Sequence, residues 1–477
     1  DRRQRQMCIR DSHADMNFTM IRNWVGQIGD KEFYEACDRH GIMVWQDFWL
    51  ANPVDGPNPY YTEMFNANAC DYLKRIRNHP SIGIYVGRNE GNPPAGIDDY
   101  LRGLVFREHP GLYYISNSAM GVVSGGGPYR ALSPKSYFQS YGHDKFHSER
   151  GMPNVMNYES MLLTFGTDKI EPVNTSETPN PVYGLHDYTL GGGKGSSAQA
   201  ASSFNDMIEK AFGRPRDAKQ FAEWAQWINY DGYRAIFEGR SEHRRGMLLW
   251  MSHSAWPSMV WQTYDYYFDP NAAYFGCKKA SEPLHIQWNP LRDDIEVVNY
   301  HAFDRTGLTA TASLFNQDGT LQWTRETKLD IKEDQTVACF PLEQPETLSD
   351  TYFIKLSLTD SDGKQLSDNF YWRGKEDGNY KSLLQLPKVS VCKNVTVKKT
   401  GKEWLIRAVL KNEARTPALM LRLKVAGEKS GRMLLPVFYS DNYFSLLPGE
   451  VKEVDIRLYD ADTYGEKPVL EVLGFNL

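Results

Sequence analysis

The chain has 477 residues, enough for two to four domains with sizeable buried cores, and a formal net charge of −6. Its 54 Lys and Arg against 60 Asp and Glu give no basic footprint of the kind that binds nucleic acid. The sequence contains no run of 18 consecutive apolar residues, so it predicts no membrane-spanning helix. Six scattered cysteines without a C-x-x-C pair argue against a zinc site and a disulfide framework.

Residues 1–13 are polar and patternless, and we expect a non-native or disordered leader there. From residue 14 to 280, short apolar strands alternate with amphipathic helices. The predicted strands are 16–24, 42–48, 81–87, 113–118, 145–149, 182–188 and 246–252. This alternation predicts a parallel sheet, and its length is typical of an α/β fold of the (β/α)₈ TIM-barrel type.

Seven barrel strands are counted instead of eight, and the missing one is expected to be the first. A barrel that lacks a strand has open edges and an exposed core. This interpretation predicts poor folding, and with it inactivity, of the chain on its own.

The texture changes after about residue 280, where helical periodicity gives way to alternating strands separated by turn pairs. Residues 281–375 are predicted to form an immunoglobulin-like β-sandwich. A linker at 376–387 and a second sandwich of the same kind at 388–477 are expected to follow.

Function in a barrel gathers at the carboxyl ends of the strands. Two predicted strands end in a glutamate there: Glu90 and Glu149. A carboxylate that closes a buried strand is costly unless it is paired or used, so a salt bridge with Arg88 or Arg150 is the alternative. A pair of carboxylates at one mouth is what glycoside hydrolysis requires.

The chain resembles glycoside hydrolase family 2, whose catalytic barrel lies between β-sandwiches. The motifs that carry the resemblance are GRNEGNPP (87–94), FHSERGMPNVMNYES (146–160), NYDGYRAIFEG (229–239), the run 250–290 and LPVFYSDNYFSLLPGE (435–450). Within the family, the run PNAAYFGCKKASEPLH is similar to the branch of exo-β-glucosaminidases, β-mannosidases and plant-type endo-β-mannosidases.

The resemblance implies roles for several residues. Glu90 would be the acid/base and Glu149 the nucleophile of a retaining exo-β-glycosidase, with Asn89 on the 2-hydroxyl of the sugar. Trp250 would form an aromatic floor under that sugar. Other candidates for substrate contact, or for a hydrogen bond to Glu149 in the case of the tyrosine, are Trp24, Asp47, Tyr141 and His186. No cofactor or metal is expected.

The substrate sugar stays open between β-mannoside, β-glucosaminide and β-galactoside. Exo-glucosaminidases of the branch often carry Asp as the acid/base, whereas this chain has Glu90 after Asn89. An alternative is a non-catalytic carbohydrate-binding protein on a degenerate or truncated barrel, and a metal-dependent hydrolase is a weaker one. The expected partner is a glycoside or oligosaccharide, not nucleic acid, and the expected compartment is the bacterial periplasm or the exterior.

Overall fold

The computed structural model describes residues 12–140, 145–175, 178, 180–186, 201–243 and 245–477. The chain divides into two compact units. The first takes in Asp1–Tyr129, His143–Gly151 and His243–Trp250, and the second takes in Arg130–Gly142, Met152–Glu242 and Met251–Leu477.

Parallel strands form the first unit. They are β1 (Met20–Asn23), β2 (Met43–Asp47), β3 (Ile82–Arg88), β4 (Tyr113–Asn117), β5 (Val123–Ser124), β6 (Phe146–Arg150) and β7 (Met247–Leu249). The helices between them are α1 (Lys31–His40), α2 (Thr62–Ile76) and α3 (Ala95–Glu108). The strands hydrogen-bond in the orders β1-β2-β3-β4 and β5-β6-β7, and all these pairs are parallel.

One apolar core joins the two parallel sheets. Trp45 and Val86 from the first sheet pack against Val123 and Leu248 from the second. The ring of Phe146 on β6 stacks on Trp45 with centroids 6.0 Å apart. The other face of the first sheet is covered by the apolar stripes of the three helices. The carboxyl ends of the strands are therefore held by packing on both faces.

The sequence located most of these strands within two or three residues, apart from the first, which begins four residues late. Helix α1 ends as predicted, because Gly41 adopts the left-handed conformation (φ 67°) that stops a helix. The prediction of a strand at 182–188 was wrong. Pro181–Leu185 is a helix, and the side chain of Asn180 accepts a hydrogen bond from the Val182 amide at 3.1 Å.

The second unit contains helices followed by two β-sandwiches. Its helices are α4 (Pro134–Gln139), α5 (Tyr158–Phe165), α6 (Pro181–Leu185), α7 (Ala201–Phe212), α8 (Ala218–Glu238) and α9 (Ala272–Ala280). The strands of the first sandwich are β8 (Leu284–Asn289), β9 (Asp294–Asn299), β10 (Arg305–Asn316), β11 (Leu321–Ile331), β12 (Gln335–Pro341), β13 (Thr351–Thr359) and β14 (Gln365–Gly374). Those of the second are β15 (Val391–Thr400), β16 (Glu403–Asn412), β17 (Ala418–Gly427), β18 (Phe438–Tyr439), β19 (Phe444–Leu446), β20 (Val451–Tyr459) and β21 (Pro468–Leu473).

Each sandwich pairs a four-stranded with a three-stranded antiparallel sheet. The orders are β11-β10-β13-β14 with β12-β9-β8, and β15-β16-β20-β18 with β19-β17-β21. Seven short antiparallel strands in two sheets are typical of immunoglobulin-like domains. The predicted linker is ordered, because Lys381–Gln385 forms a 3-10 helix with Leu383 buried. Among the described residues, no helix combines the length and apolarity needed to cross a membrane.

Candidate active site

Polar and aromatic side chains of the first unit gather at the carboxyl ends of its strands. They are Arg22 on β1, Asp47 at the end of β2, Asn89 and Glu90 after β3, Glu149 on β6 and Trp250 after β7. All but the arginine were singled out from the sequence as catalytic or substrate-binding candidates. Hydrogen bonds, a ring contact and electrostatic coupling connect them, as described below.

The guanidinium of Arg22 connects three of these residues. Its Nη1 donates to Glu149 Oε1 at 2.6 Å. Its Nη2 donates to Asp47 Oδ2 and to Asn89 Oδ1, both at 2.8 Å. Burial alone would lower the pKa of Arg22, but the two carboxylates outweigh burial and raise it. Arg22 is therefore a fixed cation beside Glu149.

Asp47 is fully buried and acts through Arg22. Its Oδ2 accepts hydrogen bonds from the Arg22 side chain and, at 3.1 Å, from the backbone amide of Val25. Its Oδ1 accepts from Trp45 Nε1 at 2.6 Å. A carboxylate with no exposed surface and three protein donors is suited to positioning the arginine. The sequence predicted a contact with sugar for Asp47, and its burial favours this positioning role instead.

Glu149 is 4% exposed, and each of its carboxylate oxygens has a donor. Arg22 occupies Oε1, and the hydroxyl of Tyr129 donates to Oε2 at 2.5 Å. Burial raises the pKa of Tyr129, and the negative charge of Glu149 raises it further, so the phenol stays protonated and donates. The two donors fix the orientation of the Glu149 carboxylate.

Glu90 differs from Glu149 in its environment. It is partly exposed, and its backbone lies in the left-handed region (φ 47°), where residues other than glycine are uncommon. Its amide donates to Ser118 Oγ at 2.9 Å. Burial raises the pKa of Glu90, and the nearby charge of Glu149 raises it further, while Arg22 and Asn52 lower it less. Two neighbouring glutamates therefore have distinct electrostatic roles.

Asn89 is buried between β3 and the loop that follows β2. Its backbone N–H donates to the carbonyl of Leu50 at 2.9 Å. Its Oδ1 accepts hydrogen bonds from Arg22 and, at 3.3 Å, from Ser118 Oγ. With Oδ1 held by these donors, its orientation is fixed as a sugar-binding amide requires.

Trp250 lies against the tyrosine that holds Glu149. The rings of Trp250 and Tyr129 have centroids 4.8 Å apart at an angle of 52°. Gly127 makes room for this tyrosine, since a Cβ at that position would lie 2.9 Å from its amide and 3.0 Å from its ring, and φ is 90°. The sequence predicted the tryptophan as an aromatic floor, but it did not reveal Tyr129, whose only local signal was the GGGP turn before it.

Trp24 opens a 3-10 helix directly after β1. Its indole Nε1 is buried and finds no hydrogen-bond partner among the described residues. A buried indole N–H usually has one. Trp24 therefore remains a candidate for substrate contact, as predicted from the sequence.

Two further candidates, His186 and Tyr141, do not belong to the described part of the first unit. His186 belongs to the second unit, where its Nδ1 lies 2.8 Å from the Pro257 carbonyl and its ring contacts Phe165. These contacts fit the alternative of a hydrogen-bonded structural histidine. Tyr141, predicted to hydrogen-bond Glu149, lies outside the described residues.

Arg88 and Arg150, named from the sequence as alternative salt-bridge partners of the two glutamates, have other partners. Arg88 donates to the Ala51 carbonyl at 2.7 Å and to Asn58 Oδ1 at 2.6 Å. Arg150 contacts the ring of His147, with Nη2 2.9 Å from Nδ1. Local salt bridges from these two arginines to Glu90 or Glu149 are not formed in the described structure.

Comparison with known sequences gives relatives of one kind. The profile of the exo-β-D-glucosaminidase Ig-fold domain matches residues 369–477. A mannosylglycoprotein endo-β-mannosidase of Lilium longiflorum is 27% identical over 97% of this chain and 60% of its own length. An exo-β-D-glucosaminidase of Streptomyces avermitilis is 28% identical over 97% of this chain and 56% of its own. The chain thus spans somewhat over half the length of these relatives.

Solved structures share the fold. The exo-chitosanase of Amycolatopsis orientalis matches with a TM-score of 0.87 and 23% identity, over 99% of this chain and 61% of that protein. A β-D-mannosidase from Dictyoglomus thermophilum matches with a TM-score of 0.76 and 20% identity, over 99% and 58%. The homologues of this chain are glycoside hydrolases, and the resemblance to glycoside hydrolase family 2 is confirmed.

Proposed function

Starting from this relationship to the exo-β-glucosaminidases and β-mannosidases of glycoside hydrolase family 2, we propose that the chain is the core of a retaining exo-β-glycosidase. The observation that carries the proposal is the asymmetry of two neighbouring glutamates. Glu149 is held by a cation and a phenol, whereas burial and the charge of Glu149 raise the pKa of Glu90. This difference supports Glu149 as the nucleophile and Glu90 as the acid, because a raised pKa favours the protonated form that a general acid needs.

In the proposed mechanism, Glu149 attacks the anomeric carbon while Glu90 gives its proton to the leaving oxygen. The glycosidic bond breaks and a covalent bond to Glu149 forms. Glu90, now a carboxylate, takes a proton from a water that attacks the same carbon, and Glu149 leaves. Arg22 and Tyr129 keep the Glu149 oxygens in place through both steps.

The proposed substrates are terminal β-linked hexosides of the mannoside, glucosaminide or galactoside class. The named relatives favour the first two. Asn89 is proposed to bind the 2-hydroxyl or 2-amino group, because Arg22 and Ser118 occupy its oxygen and leave its amide N–H groups for the sugar. We further propose that the two parallel sheets are parts of a (β/α)₈ barrel and that the enzyme acts in the periplasm or outside the cell.

A panel of p-nitrophenyl β-glycosides tests the activity. Release from one sugar by the full chain, abolished in Glu149→Gln, would identify the substrate class. In Glu90→Gln, added azide should restore release and give a β-glycosyl azide, because azide attacks the covalent intermediate without needing a base.

Two results would contradict the proposal. An α-glycosyl azide from Glu90→Gln would mean that azide did not displace a sugar from Glu149, so Glu149 would not be the nucleophile. Sugar binding by calorimetry without hydrolysis of any glycoside by folded protein would favour the carbohydrate-binding alternative.

A further inference from the structure

The loop between β2 and α2, residues 48–61, exposes aromatic surface in the first unit. Tyr60 is 91% exposed and Tyr61 is 74% exposed, and the side chain of Val54 is also in solvent. Neither phenol makes a hydrogen bond within the described residues. Exposed apolar side chains that cluster on one loop are more often binding surfaces than scattered ones.

This β2–α2 loop is held against the segment that carries Glu90. Arg88, two residues before the glutamate, donates to the carbonyl of Ala51 at 2.7 Å and to Asn58 Oδ1 at 2.6 Å. The amide of Asn89 donates to the Leu50 carbonyl at 2.9 Å. Three hydrogen bonds therefore fix both the start and the end of the loop relative to β3.

The middle of the loop reaches Glu90 itself. The side chain of Asn52 lowers the pKa of Glu90, against the larger effect of burial. A Cβ added at Gly91 would lie 3.2 Å from Pro53 Cδ, so the loop packs directly on the residue after Glu90. The loop thus borders Glu90, the proposed acid/base.

In a double displacement, the acid/base stands on the side of the leaving group. We propose that the β2–α2 loop binds the saccharide on that side, with Tyr60 and Tyr61 packing on the apolar faces of its rings. The occupant is the remainder of a β-linked oligosaccharide chain beyond the bond that is cleaved. Tyrosine suits this task, because its ring is flat and apolar while its hydroxyl can bond to a sugar hydroxyl.

The inference rests on the proposed glycosidase activity and adds a preference to it. Contacts beyond the cleaved bond help only substrates whose leaving group is a sugar chain. The enzyme should therefore discriminate in favour of oligosaccharides over substrates with a minimal leaving group.

The test uses two substrates of the sugar that the glycoside panel identifies. One is the tetrasaccharide, of glucosamine or of mannose, and the other is the corresponding β-glycosyl fluoride. The double variant Tyr60→Ala/Tyr61→Ala should lower the ratio of kcat/KM for tetrasaccharide over fluoride by about tenfold or more. Tyr60→Phe/Tyr61→Phe, which keeps the rings, should recover most of that ratio. Tyr113→Ala is the matched control, because Tyr113 is 70% exposed at the opposite, amino end of β4.

A second readout needs no turnover. In the Glu149→Gln background, calorimetry should show weaker binding of the tetrasaccharide to the double alanine variant, with a smaller change for the monosaccharide. An unchanged ratio, or equal losses on both substrates, would overturn the loop assignment while leaving the glycosidase intact. Absence of hydrolysis of every substrate by unmodified protein that is shown to be folded and to bind sugar would instead overturn the proposed activity and the loop assignment with it.

Discussion

Arg22 is the residue on which the candidate site depends most. It is buried between the carboxylates of Asp47 and Glu149, and removal of a buried cation leaves both charges uncompensated. We expect Arg22→Met to lower kcat/KM by about 10²-fold or more, the magnitude seen when a preorganised donor is lost. Glycoside hydrolysis measures the loss of kcat/KM, and thermal unfolding of the same variant shows whether it is folded.

Arg22→Lys is the control for charge against geometry. It keeps the cation but loses the planar fork that reaches three acceptors, so an intermediate activity is expected. If folded Arg22→Met hydrolysed its substrate within twofold of the unmodified chain, the assigned role of Arg22 would be wrong.

Glu90, the proposed acid/base, offers two tests in which its pKa should shift in opposite directions. Asn52 lowers the pKa of Glu90, so Asn52→Ala should raise it and move the alkaline limb of the kcat/KM profile to higher pH. The charge of Glu149 raises the pKa of Glu90, so Glu149→Gln should lower it. The pH dependence of kcat/KM measures the pKa shift in Asn52→Ala, and NMR of the Glu90 carboxyl carbon measures the shift in Glu149→Gln. If both variants shifted the pKa of Glu90 in the same direction, the proposed role of Glu90 would be contradicted.

What the sequence could and could not predict is clear at these residues. Glu90 and Glu149 were identified because each follows an apolar strand, a pattern that is local. Their partners were not, since Arg22 lies 127 residues from Glu149 and only the closing of the fold brings them together. Reasoning from sequence neighbours offered only Arg88 and Arg150, as an alternative salt bridge. In the structure Arg88 hydrogen-bonds to the loop after β2, and Arg150 contacts His147.

Among the secondary-structure elements, the same distinction between local and tertiary signals applies. Buried apolar strands such as β2 and β3 were predicted because their period and length are encoded locally. Within the strand predicted at 182–188, residues up to Leu185 are helical, because Asn180 and Pro181 form a helix start signal. The two-residue strand Val123–Ser124 is defined by its pairing with β6, so the local sequence pattern does not predict it.

The segment between β7 and α9 contains a buried carboxylate whose charge the fold disfavours. Asp265 is fully buried, and its Oδ1 accepts from the amides of Tyr267 and Asp269 at 2.8 and 3.1 Å. Burial raises the pKa of Asp265, and the carboxylate of Asp269 raises it further. Because the folded pKa is higher than the unfolded value near about 4, the contribution to stability is complete in acid and is lost toward neutral pH.

Asp265→Asn should therefore stabilise the protein at neutral pH and have little effect in acid. The amide oxygen can accept the same two backbone hydrogen bonds without a charge. Thermal unfolding of both proteins across this pH range measures the difference. Asp217→Asn is a control of opposite sign, since hydrogen bonds from Gln220 and Arg216 outweigh burial and lower the pKa of Asp217; stabilisation by both variants alike at neutral pH would contradict the explanation.

At the scale of the whole molecule, the C-terminal sandwich is anchored to the helical part of its own unit by polar groups. Arg422 on β17 is largely buried and donates to Glu159 on α5 at 2.8 Å and to Asp269 at 3.2 Å. The hydroxyl of Tyr443 donates to Asn157 Oδ1 at 2.7 Å. Burial alone would lower the pKa of Arg422, but its interactions with Tyr443, Asp269 and Glu159 raise it, so the guanidinium remains charged in this contact.

This anchoring predicts that the sandwich and the helices of the second unit unfold together. Arg422→Met leaves Asp269 without its ion-pair partner and Glu159 with Lys424 alone, and it should cost about 3–5 kcal/mol of unfolding free energy. Arg407→Ala is the matched control, because its partner Glu453 and the arginine itself are more than half exposed, and such a pair contributes about 1 kcal/mol or less. Urea unfolding followed by tryptophan fluorescence, with Trp227 on α8 and Trp404 on β16 replaced in turn, reports both parts of the unit. Equal losses of unfolding free energy in the two arginine variants would contradict this prediction. So would an unfolding transition of the helices that Arg422→Met does not shift, because the sandwich would then unfold independently.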